Sequence, residues 1–277
     1  IRDRTLPTPE TWETQISGKG STKEAWSTII PKMGYMALLR NLRNFLKVGA
    51  DVDLVIKRLT NVEEVRKSKQ FPFRFLSAYK VLESENTGDL IGRQKLIQAV
   101  STAFELSVAN IPRWGGITFS TCDNSGSMEG ATLSEKSTVK LIEVGNIMGA
   151  LAQKISGQGL ISVFGEEFTY VNLNPLSPAL ENAQKLIHTN VGHSTEAWKA
   201  IAWLRLNKIK VDRIMVFSDM QCYSNSGNRY GIWNNAEATL YGQLLAYKRE
   251  INPEVYLYSF DLAGYGTLQF PENEKKV

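Results

Sequence analysis

The sequence has 277 residues, of which 43% are apolar, and it carries a formal net charge of +4. This is enough chain for one large domain or two modest domains with a substantial core. No apolar run is long enough to span a bilayer and no tract has low complexity, which argues against membrane-spanning and fibrous proteins. Two cysteines, Cys122 and Cys222, are too few for a disulfide scaffold, so we expect both to be reduced and the protein to be cytoplasmic.

The charge is distributed unevenly along the chain. Residues 1–115 contain 18 Lys and Arg against 12 Asp and Glu, whereas residues 116–277 contain 14 against 16. A basic first part favours an anionic partner, with nucleic acid as the leading candidate. A solvated helical surface explains the same modest excess about as well.

Residues 1–115 are predicted to be all-helical, because no convincing strand alternation occurs there. The breaks between helices are expected at Gly49, Asn61, Phe71-Pro72 and Thr87-Gly88. The pattern is typical of short helix pairs in a helical-repeat array. The predicted helices are Met33–Val48, Val52–Leu59, Pro72–Leu82 and Leu90–Ala109.

The helix predicted over Met33–Val48 contains a line of basic residues opposite its apolar stripe. Arg40, Arg43 and Lys47 recur at i, i+3 and i+7, a spacing that could place all three against phosphates. Two further candidates for RNA contact, Lys69 and Arg74, lie among aromatic residues, and aromatic rings beside cations can stack unpaired bases. The alternative is that the aromatic residues belong to the core and the cations are only solvated.

Residues 116–277 alternate between strands and helices. Strands are predicted at 117–122, 160–164, 168–172, 211–218 and 255–260, and helices at 136–155, 177–189, 196–206 and 236–250. The central strands are continuously apolar, which predicts a doubly wound, mostly parallel sheet covered on both faces. A hairpin around residues 165–167 would form an antiparallel edge.

The first predicted strand of this part runs into Asp123, Ser125 and Ser127. Carboxylate and hydroxyl oxygens are the ligands that Mg²⁺, Mn²⁺ or Ca²⁺ prefers. The carboxyl ends of strands in an open α/β sheet also form a ligand crevice, and Asp219 ends another strand there while Thr195 lies in a loop. The alternative is a polar turn that caps the following helix.

This combination resembles the metal-ion-dependent adhesion site of von Willebrand factor A domains. The resemblance implies that Ser125, Ser127 and Thr195 ligate the cation directly and that Asp123 and Asp219 act largely through bound water. Mg²⁺ is our choice of cation, with Mn²⁺ or Ca²⁺ as substitutes. The second loop departs from the Gly-Gly-Thr-Asp of many family members, since the sequence of residues 193–196 is His-Ser-Thr-Glu, and Ser194 could compete with Thr195 as a ligand.

A basic helical segment fused directly to such a domain resembles the Ro ribonucleoprotein autoantigens, the TROVE-module proteins that include bacterial relatives. That family implies a ring of helical repeats closed by the A domain, which binds small noncoding Y RNAs and misfolded RNAs. Family members usually carry more helical repeats upstream, so we expect a C-terminal piece or a shortened relative. The resemblance is carried by Leu6–Glu13, Ala37–Leu42, Asp123–Met128, Phe217–Asp219 and Asp261–Thr267.

The sequence therefore predicts a helical TROVE-type segment at 1–115 and a von Willebrand factor A domain at 116–277. The predicted function is Ro-type binding of small noncoding (Y-like) or misfolded RNA, with a divalent-cation site in the A domain. The alternative is a cation-dependent protein-interaction module in which a partner's acidic side chain completes the coordination. No nucleophile elbow, phosphate-binding loop or zinc-ligand spacing is present, so we expect no enzymatic activity.

Overall fold

The computed structural model describes residues 11–86, 88–109, 111–135, 137–221 and 239–266. The chain divides into two compact units, Ile1–Asn110 and Ile111–Val277. Within the described ranges, no helix is both long and apolar enough to cross a membrane. Several features named above lie at least partly outside these ranges: Cys222, Thr87, the start of the motif Leu6–Glu13, the end of the motif Asp261–Thr267 and the first residues of the helices predicted at 136–155 and 236–250.

The described residues of the first unit form helices joined by short turns. Helix α5 has the bounds predicted from the sequence, because the Asp51 carboxylate caps its first turn by accepting the N–H groups of Asp53 and Leu54. The helices are α1 (Trp12–Lys19), α2 (Lys23–Ile29), α3 (Tyr35–Arg40), α4 (Leu42–Lys47), α5 (Val52–Leu59), α6 (Val62–Ser68), α7 (Pro72–Ser84) and α8 (Leu90–Val108).

The prediction of one continuous helix over Met33–Val48 is wrong, because the chain breaks at Asn41 into α3 and α4. Asn41 is buried with φ −103° and ψ 7°, its side chain donates to the Ala37 carbonyl at 2.8 Å, and it accepts from Asn44 at 2.8 Å. Such bonds between a short amide side chain and nearby groups compete with the regular helical pattern. Arg40 therefore ends α3, while Arg43 and Lys47 belong to α4.

Helix α6 was not predicted from the sequence. Asn61 caps it by accepting the N–H of Glu64 at 3.0 Å, and Val65 is its single buried residue. A seven-residue helix with so little apolar surface has almost no periodic signal. It is fixed by tertiary contacts instead: the guanidinium of Arg58 on α5 forms a two-pronged ion pair with Glu64 and donates to the Met33 carbonyl at 2.8 Å.

The second unit is a five-stranded sheet with helices on both faces. The strand order is β3-β2-β1-β4-β5, and all neighbours are parallel except β2 and β3. The predicted fold class, a helical segment followed by a doubly wound, mostly parallel sheet with an antiparallel edge, is confirmed. The elements are β1 (Trp114–Asp123), α9 (Gly126–Gly130), α10 (Leu141–Ile155), β2 (Ser156–Phe164), β3 (Phe168–Tyr170), α11 (Ala179–Ile187), α12 (Trp198–Leu206), β4 (Arg213–Ser218), α13 (Leu240–Glu250) and β5 (Tyr256–Asp261).

Strand β1 is the centre of the sheet, and its two faces carry different helices. Phe119 belongs to a core with α12 and α13, whereas Cys122 faces α10, where it contacts Gly149. A Cβ on Gly149 would lie 2.3 Å from the Cys122 sulfur, so this approach of helix to strand needs glycine. Helix α10 begins at Leu141, later than the predicted residue 136, and residues 137–140 before it are not helical.

Candidate metal centre and nucleic-acid interface

The carboxylate of Asp123 is the centre of the polar group at the end of β1. It is completely buried, its Oδ1 accepts the backbone N–H of Ser125 at 2.9 Å, and its Oδ2 accepts the hydroxyl of Ser218 at 2.6 Å. Cys122 and Phe217 are paired across β1 and β4, so Asp123 and Ser218 are the next residues on adjacent parallel strands. The register of the sheet thus brings these two side chains together.

Burial raises the pKa of the Asp123 carboxyl to about 6. Hydrogen bonds from Ser125 and Ser218 oppose this rise because they favour the ionised form, while the negative charge of Asp219 adds to it. Near neutral pH the carboxylate is therefore ionised, although burial raises the free energy of its ionised form. A nearby positive charge would lower that free energy.

Asp219 follows β4 directly and is almost completely buried. Its Oδ1 accepts the backbone N–H of Gln221 at 3.1 Å. In the part of the chain that the structure describes, no Lys, Arg or His forms an ion pair with Asp123 or Asp219. Two neighbouring buried carboxylates without a cationic side chain are costly, and a metal ion is one way to compensate them.

The two serines after Asp123 carry hydroxyls that are not used to cap a helix. Ser125 is buried and precedes α9, but its side chain makes no capping hydrogen bond. Its Oγ lies 3.2 Å from the Oγ of Ser127, which is exposed. Ser125 therefore does not act as a side-chain cap of α9, and the two hydroxyls stay candidate ligands.

The loop that carries Thr195 is held against this turn by backbone bonds. Gly126 donates its N–H to the His193 carbonyl at 3.1 Å, and Glu196 donates to the Gly165 carbonyl at 2.8 Å. Thr195 is buried between these two anchors and Ser194 is half-buried, so both stay candidate ligands. The Glu196 carboxylate pairs with the Lys199 ammonium at 3.1 Å.

Gly165 and Ser218 are two residues of this region that the sequence reasoning did not select. A Cβ on Gly165 would lie 2.7 Å from the carbonyl oxygen of Val191 and 2.9 Å from that of Gly192, so the absence of a side chain lets the Thr195 loop approach β2. Ser218 holds Asp123 through a contact that depends on strand register. Neither contact leaves a local sequence signal, because both depend on long-range packing.

Replacing Gly165 with Ala is expected to push the loop at residues 191–196 outward and weaken cation binding several-fold. The added methyl group meets backbone oxygens, which cannot move aside as a flexible side chain would, at a cost of about 1–3 kcal/mol. The matched control is Gly130→Ala, where the added atom meets nothing within 4 Å. Calorimetric titration of both variants with Mg²⁺ tests this, and equal affinities would contradict it.

The basic residues predicted to contact RNA all lie on the surface of the first unit. Arg43 and Lys47 approach one carboxylate, with the Arg43 Nε 3.9 Å and the Lys47 Nζ 3.6 Å from Glu85 oxygens. Both side chains remain about half-exposed, and Arg40 is exposed as well. Glu85 thus partly neutralises two of the three cations.

The second basic pair, Lys69 and Arg74, flanks Phe71 in the sequence, and both side chains are exposed. Lys69 ends α6 in the left-handed backbone conformation, with φ 50°. The guanidinium carbon of Arg74 lies 5.1 Å from the centre of the Phe73 ring. Phe71 itself is exposed, so the alternative that all of these aromatic residues belong to the core is wrong for Phe71.

No group of three or more His, Cys, Asp or Glu side chains is arranged to hold a metal within the described ranges. Among the described residues, the oxygen donors near the end of β1 are the carboxylates of Asp123 and Asp219 and the hydroxyls of Ser125, Ser127 and Thr195. This donor set suits a hard cation such as Mg²⁺ and is unsuited to zinc.

Comparison with known proteins identifies the first unit. The TROVE domain family model matches residues 3–93. The chain is 42% identical over 83 residues to telomerase protein component 1 of Rattus norvegicus, covering 28% of this chain and 3% of that protein. It is 32% identical over 118 residues to RNA-binding protein RO60 of Caenorhabditis elegans, covering 39% and 18% respectively.

A solved structure extends the similarity across both units at the level of fold. The crystal structure of the Deinococcus radiodurans RO (RSR) protein superposes with a TM-score of 0.68 at 20% identity, covering 92% of this chain and 51% of that chain. The chain thus spans about half the length of this structural neighbour and less than a fifth of either curated relative. Residues 3–93 thus match the TROVE domain family model, and in this part the chain is similar to telomerase protein component 1 and to RNA-binding protein RO60.

Proposed function

We propose that this chain binds RNA through its helical unit and holds a divalent cation in its α/β unit. The observation that carries the RNA proposal is the coincidence of the TROVE match with the basic part of the sequence. One relative of this region is named as an RNA-binding protein. Exposed Arg40, Arg43 and Lys47 are the cations offered to phosphates, with small noncoding (Y-like) or misfolded RNA as the proposed ligand.

The cation proposal is supported by the chemistry of the donor groups at the end of β1. Asp123 and Asp219 supply buried negative charge, and Ser125, Ser127 and Thr195 supply hydroxyl oxygens, a set that resembles a metal-ion-dependent adhesion site. A bound Mg²⁺ would compensate the two carboxylates and offer an open coordination position to a partner's oxygen. We assign no catalytic step to this site and propose a cytoplasmic binding protein rather than an enzyme.

The alternative function, a cation-dependent protein-interaction module, is favoured by one observation. The hydroxyl of Ser127 is exposed while Asp123 and Ser125 beside it are buried, so the proposed site opens to solvent at Ser127. A partner's Asp or Glu could reach a cation there. The two functions use different units of the chain and are compatible with each other.

The proposal is tested by purifying the chain at low and at moderate salt and sequencing the RNA that remains bound. A discrete set of small structured RNAs that is lost as salt rises is the expected result, because phosphate contacts release counterions. Complete absence of bound RNA at low salt would contradict the RNA proposal. Retention of a protein only in the presence of Mg²⁺ would then favour the interaction module.

A further inference from the structure

A stacked aromatic pair lies at the start of helix α7, where Phe71 is exposed and Phe73 is half-buried. The rings of Phe71 and Phe73 are stacked, with their centres 5.8 Å apart and their planes inclined by 9°, and the Arg74 guanidinium lies over Phe73. We call Phe71, Phe73 and Arg74 the aromatic platform. Phe71 is 67% exposed although it has a parallel ring on one side, so most of its remaining surface faces solvent.

Phe71 does not belong to the buried face of α7. The buried residues of α7 are Phe75, Leu76 and Leu82, and the ring contacts of the core continue from Phe75 to Tyr35 and Phe104. Phe71 occupies the N-cap position of α7, where its side chain makes no capping hydrogen bond. The exposed ring of Phe71, backed by Phe73, therefore offers contact area to a ligand.

The charge around the aromatic platform indicates what kind of ligand fits. The eighteen residues from Val65 to Leu82 contain no Asp or Glu but five cations, Arg66, Lys67, Lys69, Arg74 and Lys80. Lys69 and Arg74 flank the two aromatic residues in the sequence, and both are exposed. A flat apolar surface flanked by positive charge matches a ligand with flat rings on a negatively charged backbone.

We propose that the aromatic platform stacks an unpaired base of single-stranded RNA, while Lys69 and Arg74 contact the adjacent phosphates. This inference rests on the proposed function of RNA binding and assigns it a site for unpaired bases. Stacking is tolerant of sequence because every base has a flat face. Inside a duplex, however, no base face is free to stack on a protein ring. The platform therefore selects unpaired over paired RNA and imposes little base preference.

The test measures binding of the full chain to a ten-nucleotide RNA strand and to an abasic strand of the same length by fluorescence anisotropy. Phe71→Ala is expected to weaken binding of the base-bearing strand by about tenfold. The dependence of affinity on salt stays unchanged, because no charge is removed. Phe71→Trp retains binding, and Ile91→Ala is the matched control, since Ile91 is an exposed apolar residue on α8.

The outcomes separate this inference from the RNA proposal itself. Under the inference, the wild-type chain prefers the base-bearing strand, and Phe71→Ala removes that preference. If the wild-type chain binds both strands equally, or if Phe71→Ala and Ile91→Ala behave alike, the platform is not a stacking site although RNA binding stands. If the wild-type chain binds neither strand at low salt but retains RNA on purification, this inference alone is wrong; if it also retains no RNA, the proposed function is wrong as well.

Discussion

Replacing Asp123 with Asn is expected to weaken Mg²⁺ binding by about 100-fold while the sheet stays folded. Asn has the same shape and can still accept the Ser125 N–H, but it removes one of the two buried negative charges. Calorimetric titration measures the affinity, and circular dichroism checks the fold. The matched control is Glu129→Gln, which removes an exposed carboxylate from the neighbouring helix α9.

The same carboxyl gives cation binding a defined dependence on pH. Since the Asp123 pKa is raised to about 6, protons compete with Mg²⁺ below that pH and affinity falls there. In the absence of metal, the folded chain binds a proton more tightly than the unfolded chain, whose carboxyl has a pKa of 3.8. Stability therefore falls as pH rises from about 4 to about 6, by at most about 3 kcal/mol.

Thermal unfolding across this pH range checks the prediction, with Asp123→Asn as the comparison. The variant should lose the fall in stability, and added Mg²⁺ should remove it from the wild-type chain. An affinity for Mg²⁺ that is unchanged by Asp123→Asn would place the cation elsewhere, in which case the site at the end of β1 is a polar turn without a ligand.

Replacing Arg40, Arg43 and Lys47 together with Ala is expected to weaken RNA binding by roughly two orders of magnitude at 0.1 M salt. The slope of log affinity against log salt is negative, and each lost phosphate contact makes it shallower by about 0.9. Loss of all three contacts should therefore make the slope shallower by up to about 3. Filter binding or anisotropy over a salt series measures both quantities.

Replacing Glu85, in the same region, is expected to change RNA affinity in the opposite direction. Its carboxylate lies within 4 Å of Arg43 and Lys47 and competes with phosphate for them, so Glu85→Gln should strengthen RNA binding several-fold. The control for total charge replaces Lys185, Lys208 and Lys210, which are exposed in the other unit, and should leave RNA affinity nearly unchanged. Equal losses in both triple variants would mean that the basic residues act only through net charge.

The sequence predicted the elements whose signals are local. Helix α5 was predicted residue for residue between the breaks expected at Gly49 and Asn61, and in the structure Asp51 caps its start. The apolar strands, their parallel arrangement and the position of Asp123 at the end of one of them were predicted in the same way. These features depend on periodicity, caps and alternation along a short stretch.

The features that were missed depend on contacts between distant parts of the chain. The break at Asn41 depends on hydrogen bonds that its buried side-chain amide makes, and α6 is held by Arg58 from another helix. At the candidate site, the contribution of Ser218 follows from strand register and that of Gly165 from how closely a loop approaches. No window of sequence contains this information, because each contact is set by tertiary packing.

The bond between Ser218 and Asp123 joins residues that are 95 positions apart. Closing so long a segment of chain lowers its entropy before the contacts that stabilise the closed form are made. Pairing of β1 with β4 is therefore expected late in folding. During synthesis, the candidate cation site cannot exist until β4 has left the ribosome. Binding of a cation would thus report that β1 and β4 have paired, and a chain stalled before Ser218 would lack it.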